Sequence, residues 1–421
     1  MENKKRKSSI SPKRGRGFST NLIQHGNFDL IFACAVLLIF TFGIIMMYSA
    51  SYAYAASNRG GADVLFKSQL RAGVIGIVGM LVLSKIDYKM FNGRFAPFAF
   101  VLTVCVLVMT LLFNIGKSEK RWLYIGSFQL QPSEFAKFSL ILVLAYVLCV
   151  LQKPLRAPKG TVAKFDPDSD GLTKIERSIF GFGRTPFKAC FIVAFIIAIY
   201  CGLIFLESHY SCTILMFCMG VAMLWLSGTK KRYFAVLGVV IAVAVTVVIM
   251  KPELLKALGG FGAERIAAWI EKDNASSARY QTVNGLYAIG SGGLFGVGLG
   301  NSKQKQLYIP EPQNDFIFPV ICEELGFIGA VLILLLFAVL IWRGFVIARR
   351  SRDYFGSLVV MGIMIQVALQ VIINICVVTD IFPNTGIALP FFSFGGTSLI
   401  VLLCEMGVVL SVSRGASIEK E

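Results

Sequence analysis

The chain has 421 residues, of which 56% are hydrophobic and 15% charged, and its mean hydropathy is +0.71. A water-soluble protein of this length needs far more polar surface, so the composition excludes a soluble globular protein and predicts a polytopic membrane protein. The net charge of +17 sits in short loops beside apolar segments, the topology signal of a membrane protein rather than a nucleic-acid-binding patch.

Residues 1–28 carry Lys4, Lys5, Arg6, Lys7, Lys13, Arg14 and Arg16 among Ser, Pro and Gly, and read as a disordered cytoplasmic tail held near anionic lipid. No signal-peptide cleavage pattern precedes the first apolar run, so no processing is expected. Ten spans of about twenty residues follow. They are placed at 29–49, 68–86, 95–113, 132–151, 187–205, 211–228, 233–250, 317–342, 355–378 and 392–413. The predicted fold is therefore all-α, with a ten-helix membrane domain over 29–413 and a short cytoplasmic tail at 414–421. The second span is the weakest, because Lys67, Arg71 and Lys85 bracket its apolar centre. The stretch 187–228 is too long for one span and breaks at Glu207-Ser-His-Tyr-Ser211.

Basic loops set the orientation. Lys85, Lys89 and Arg94, the 152–187 loop, Lys230 to Arg232, and Arg343, Arg349, Arg350 and Arg352 fall on the side of the N-terminal tail if ten spans alternate. Both termini are then cytoplasmic. The 114–131 loop, the large 251–316 loop between spans seven and eight, and the 379–391 loop face outward.

Asp315 lies where the largest outward loop meets a span, in Tyr308-Ile-Pro-Glu-Pro-Gln-Asn-Asp-Phe-Ile-Phe318. A carboxylate at that depth is costly to desolvate and marks a working site. Pro310 and Pro312 stiffen the approach to it. The same loop carries Arg265, Trp269, Arg279, Tyr280 and Gln281, and then glycines at 290, 292, 293, 296, 298 and 300. These glycines allow close backbone approach to a ligand, or a flexible or re-entrant connection. They lack the GK[ST] ending of a nucleotide loop. Lys303 and Lys305 beyond them suit an anionic headgroup such as pyrophosphate.

The second outward cluster runs from Lys120 to Lys137 and holds Arg121, Trp122, Gln131, Ser133, Glu134 and Lys137. Pro132 suits a first helical turn, and Glu134 and Lys137 share a helix face. Two readings stay open: a structural ion pair, or Lys137 on a phosphate with Glu134 holding it in place. Gln366, Gln370 and Asn374 line one face of the ninth span, suited to helix packing or a cavity. Thr385 to Ser398, including Ser393, opens the last span and admits close helix contact or a ligand. Glu323 and Glu324 sit just after Asp315, where one of them packs the helix or tunes that acid. The ten cysteines form no CxxC or Cys/His cluster and read as small core hydrophobes, and His25 and His209 lie too far apart in sequence to suggest a metal site.

Taken together these residues resemble the SEDS family, membrane glycosyltransferases that polymerise lipid II into peptidoglycan. The resemblance covers the chain after residue 28. It rests on Arg121-Trp122, Gln131-Pro-Ser-Glu-x-x-Lys137, Gly292-Gly293 with Gly296, Gly298 and Gly300, Pro310-Glu311, Asp315-Phe-Ile-Phe318, Glu324-x-Gly326, and Leu389-Pro-Phe with Ser393-x-Gly-Gly396. It implies ten spans with both termini inside, Asp315 as the catalytic aspartate, and Glu134 and Lys137 as an intramembrane ion pair. Pro-Glu-Pro-Gln-Asn-Asp315, Arg265-Ile-Ala-Ala-Trp269 and Tyr48-Ser-Ala-Ser51 are closer to the FtsW branch, with its sporulation relative SpoVE, than to RodA. Phe394 stands where Tyr is commoner in the family, which argues against a hydroxyl role there.

The implied reaction is an inverting transfer on the outer face of the bacterial cytoplasmic membrane, at the division septum. An α-linked pyrophosphate leaves and a β-1,4 glycan bond forms. Asp315 would be the base, with Arg121, Lys137, Arg265, Lys303 and Lys305 as candidates for the phosphates. Trp122, Gln131, Ser133, Gln281 and Ser393 are further candidates for substrate binding. A divalent cation, Mg or Mn, is a possible cofactor, although no metal-ligand cluster is visible. The implied partners are lipid II, a class B penicillin-binding protein and other divisome proteins, with no nucleic acid. The alternatives are an elongation polymerase of the RodA type, a lipid II flippase, or a scaffold for division proteins that needs no acid.

Overall fold

The structure, a computed structural model, describes residues 27–113, 121–125, 128–156, 174–250, 265–266, 269–270 and 277–416. The expected basic tail lies almost wholly outside the described residues, as do most of the C-terminal tail and part of the 251–316 loop.

The sequence places helix breaks at its charges and prolines, and the helices follow. In chain order they are α1 (Leu30–Asn58), α2 (Val64–Lys85), a short 3-10 turn (Tyr88–Phe91), α3 (Phe95–Phe113), α4 (Pro132–Val150), α5 (Gln152–Arg156), α6 (Lys174–Phe182) and α7 (Pro186–Leu206). After them come α8 (Tyr210–Leu226), α9 (Lys231–Met250), α10 (Ser277–Ser291), α11 (Ile317–Arg350), α12 (Tyr354–Val378) and α13 (Gly396–Gly415). Among the described residues, eight helices, α1–α4, α7 and α11–α13, are long and apolar enough to cross a membrane. α8 is a shorter apolar helix, and α9 is a further 20-residue helix of mostly apolar sequence. The chain is a mostly helical, multi-pass membrane protein.

Several boundaries differ from those read in sequence. α1 runs to Asn58 because its Ala-rich end continues the helix past the apolar core, and it starts where Asp29 Oδ1 accepts the Phe32 amide at 2.9 Å. α11 runs to Arg350 rather than 342, with Arg343 reaching back to pair with Asp29 at 2.7 Å. The expected break in 187–228 falls between Leu206 and Tyr210, with Ser208 in the left-handed region at φ 60°. The chain is not wholly helical. Strands β1 (Leu123–Ile125) and β2 (Phe128–Leu130) pair antiparallel, Leu123 opposite Leu130, ahead of α4. Three-residue strands are below the length at which alternation can be recognised.

Burial orders the bundle. The most apolar stretch of α4 is 78% buried and that of α3 only 22%, so α4 is central and α3 peripheral. α12 and α13 join α4 in the centre.

The glycine-rich stretch packs its backbone against a break in the following long helix. α11 is broken at Gly326, whose φ of 69° and ψ of −172° leave the helix. The amides and carbonyls freed there are taken up by the 293–298 segment. Val297 N donates to Glu323 O at 2.9 Å and Gly298 N to Glu324 O at 3.1 Å, while Phe327 N donates to Gly293 O at 2.9 Å. A Cβ on Gly296 would lie 2.1 Å from Glu324 O, so backbone must meet backbone without side chains. Irregular backbone is tolerated in a membrane protein where its amides and carbonyls are paired in this way.

Candidate functional site

Asp315 stands two residues before α11, at the end of a loop tied down at several points. Glu311, itself at φ 48°, accepts from Tyr54 Oη at 3.0 Å and from Asn314 Nδ2 at 2.7 Å, which joins the loop to the end of α1. Gln281 Nε2 on α10 donates to Pro310 O at 3.1 Å. Asn374 near the end of α12 donates from Nδ2 to Asp315 O and to Ile387 O, each at 2.8 Å. The predicted polar stripe of α12 therefore divides its work. Asn374 anchors the loop that carries Asp315, and Gln366 and Gln370 line a pocket.

The Asp315 carboxylate faces a guanidinium. Gly386, in the left-handed region at φ 73°, lets the α12–α13 loop pass close by. A methyl group placed on it would lie 3.6 Å from both Asp315 Oδ2 and Arg265 Nη1. Arg265 Nη1 also donates to Asn384 O at 3.4 Å, and Asn384 Nδ2 donates to Gln281 Oε1 at 3.0 Å. Asp315, Arg265 and Gln281, distant in sequence, thus meet at one place. Asp315 is half-buried, and burial pushes its carboxyl above the ordinary range, while Arg265 and Arg121 pull it down and Glu311 pushes it up. Arg121 accordingly adds to the field at the acid. Trp122, next to it, precedes β1 and is half-buried.

Other predicted residues are used elsewhere. Lys305 is almost fully buried, and its ammonium is held by Glu324 Oε1 at 2.6 Å and Ser49 Oγ at 2.9 Å. It does not face the Asp315 site, and the reading of it as a phosphate ligand gives way to a structural ion pair. Lys303 has an exposed side chain, and its amide donates to Glu323 Oε1 at 2.9 Å. Glu323 also accepts from Ser302 Oγ and from Gln304 N at 3.3 Å, so it caps the 302–304 turn rather than tuning Asp315.

Glu134 and Lys137 pair at 2.8 Å, both buried, in a separate small pocket with room for water. Gln366, Gln370, Ser393 and Ser398 share its wall. Ser393 Oγ accepts the Leu389 amide at 2.8 Å and so closes the turn before α13, a role local to the backbone. The next residue links the pocket to the loop that carries Asp315, since Phe394 N donates to Gln313 O at 2.8 Å. Gln131 sits at the N-cap of α4 without capping it through its side chain, and Ser133, fully buried in the first turn, has an Oγ with no hydrogen-bond partner.

Among the described residues no three His, Cys, Asp or Glu side chains gather as metal ligands. At Asp315 the nearby Glu311 has both oxygens engaged and a guanidinium stands beside the acid, so these residues do not form a resident site for a divalent cation.

Sequence reading missed one element of this region. Asp380, at φ 61°, accepts Arg279 Nη1 at 2.5 and 2.7 Å, and its carbonyl accepts Trp269 Nε1 at 3.1 Å. Asp380 and Arg279 are oppositely charged residues in two segments between the long apolar stretches, and that complementarity was the available signal. The pair fastens the first turn of α10 to the end of α12, two residues from Gln281.

Comparison with known proteins bears on what this constellation serves. The FtsW, RodA and SpoVE family model, described as cell cycle protein, matches residues 29–418. The chain belongs to the FtsW/RodA/SpoVE family. Stage V sporulation protein E of Bacillus subtilis is 36% identical, with 92% of this chain and 97% of that protein aligned. A probable peptidoglycan glycosyltransferase FtsW of Trichlorobacter lovleyi is 32% identical, covering 92% of this chain and 93% of that one. Two solved structures share the fold at 22% identity. A chain of a peptidoglycan synthase complex superposes with TM-score 0.72 over 93% of this chain and 99% of its own. The rod shape determining protein RodA of Thermus thermophilus gives 0.61 over 93% and 98%.

Proposed function

We propose that this chain is a peptidoglycan glycosyltransferase that polymerises lipid II on the outer face of the cytoplasmic membrane, in the division or sporulation branch of its family. The observation that carries the reading is Asp315, half-buried and anchored through its carbonyl, with Arg265 across Gly386 from its carboxylate. Membership of a family whose relatives are named peptidoglycan glycosyltransferases supports the substrate class. Identities of 36% and 32% to a stage V sporulation protein and an FtsW protein support the branch.

In this reading α8 and α9 complete ten spans, both termini are cytoplasmic, and Asp315 faces outward. Asp315 accepts the proton of the acceptor sugar's 4-hydroxyl as that oxygen attacks the anomeric carbon. The C–O bond to pyrophosphate breaks in the same displacement, with inversion from α to β. Arg265 and Arg121 stabilise the charge that develops on the departing pyrophosphate. Gln281 holds both the loop bearing Asp315 and the Asn384 carbonyl on which Arg265 rests. The Glu134–Lys137 pair serves as the structural link in its pocket. A class B penicillin-binding protein supplies cross-linking as partner, a proposal that follows the peptidoglycan synthase complex among the structural neighbours.

Labelled lipid II, supplied to the purified chain with such a partner, tests the reading. Glycan polymer is the expected product, whereas headgroup translocation without polymer rejects it. The pH profile adds a signed prediction. Asp315 works only when ionised, so the rate falls as pH drops through a value that burial holds above the ordinary carboxylate range. Arg265 lowers that value. Arg265→Ala should therefore slow the reaction and move the acid limb of its pH–rate profile to higher pH, and an unmoved limb would separate Arg265 from the base.

A further inference from the structure

Glu405 lies midway along α13, fully buried, and takes no part in the chemistry above. A carboxylate at the centre of a span is costly unless paired and hydrogen-bonded. Its surroundings provide one bond, from Gln366 Nε2 on α12 to Glu405 Oε2 at 2.9 Å. The remaining oxygen of each head group, Glu405 Oε1 and Gln366 Oε1, is buried with no hydrogen-bond partner.

No cation is spare to balance the charge among the described helices packed on α13. Lys137 on α4 is closed onto Glu134. On α11, Glu324 is paired with Lys305 and Arg343 with Asp29. On α2, Lys67, Arg71 and Lys85 are exposed. The region around the pocket thus holds two carboxyl groups, Glu134 and Glu405, for one ammonium.

We propose that Glu405 is a proton-binding site. Its Oε1 carries the proton and donates to Gln366 Oε1, closing an acid–amide ring with the observed bond from Gln366 Nε2. A single proton supplies a donor between two otherwise unpaired acceptors and removes the uncompensated charge. A hard cation takes about six oxygen ligands, and only these two oxygens are free here. The ring joins α12 to α13 one amide away from the pocket that holds Glu134 and Lys137. It also sits on the helix whose Asn374 anchors Asp315, so the bound proton sets the register of α12 beneath the catalytic loop.

Infrared spectra of the full chain in lipid vesicles, wild type minus Glu405→Gln, test the site. The expected difference is the carbonyl stretch of a protonated carboxylic acid, shifted on deuteration and lost in the variant. Glu405→Gln, which re-forms the ring as an amide pair, should melt close to wild type. Carboxylate stretches in place of the acid band overturn the proposal and point to an ionised side chain solvated by water. A melting temperature that falls when sodium and potassium are replaced by choline overturns it in favour of a metal cation. Should Glu405→Gln fail to fold, Gln366→Leu gives the same readout. The acid band must then move to the higher frequency of a carboxyl without its amide partner, and a band that stays in place refutes the ring.

Discussion

Replacing Asp315 by Asn is expected to lower the rate of glycan polymerisation by about 10²–10⁴-fold, the contribution of a positioned general base. Folding should be unchanged, for two reasons. The contact by which Asp315 holds the structure is its backbone carbonyl, which accepts from Asn374 in either variant. Burial also opposes the charged form of this side chain, so a neutral amide of nearly the same shape is no harder to accommodate. Asp315→Glu keeps the acid but advances it by one methylene. Misplacement on the order of 1 Å costs about 10²-fold, so this variant should also be slow. The measurement is initial polymer formation from labelled lipid II, with thermal denaturation as the control for folding. Wild-type polymer yield from Asp315→Asn would remove the acid from the chemistry and leave Arg265 and Gln281 as a binding surface alone.

The eight long apolar helices were legible because a membrane imposes a local rule: about twenty apolar residues between polar breaks. Glu207-Ser-His209 interrupts an apolar stretch, and the helix breaks there. The place of Asp315 was legible for the same reason, as an acid at the edge of an apolar run preceded by Pro310 and Pro312, and the structure sets it two residues before α11. What escaped was pairing at long range. Arg279 and Asp380 are separated by 101 positions, and Gln366 and Glu405 by 39, and no periodicity reports either. The glycines of 290–300 gave an ambiguous signal, since close approach to a ligand and close approach to another backbone need the same absent side chain. Only the break at Gly326, whose freed amides and carbonyls require partners, decides between them. Lys305 was misread for a related reason. A lysine after a glycine-rich loop has the composition of a phosphate site, while its counter-ion Glu324 lies 19 positions further on, just before that break.

That ion pair carries the second large expected effect. Lys305 and Glu324 are 3% and 1% exposed, and Ser49 of α1 bonds to both, so the pair binds the 302–305 turn, α1 and α11 together just before the break. Glu324→Leu leaves a buried ammonium without its counter-charge, which should destabilise the protein by about 3–5 kcal/mol. Lys305→Met together with Glu324→Leu removes both charges and places apolar side chains of similar volume in their room. This double variant should recover most of the loss, because a buried ion pair is often replaced by apolar groups at little cost. Thermal unfolding of the two single variants and the double variant in the same detergent forms the cycle. A phosphate-binding Lys305 predicts the opposite order. Its single Met variant would melt as wild type and lose substrate affinity, and the Glu324 variant would suffer no penalty that removing Lys305 relieves.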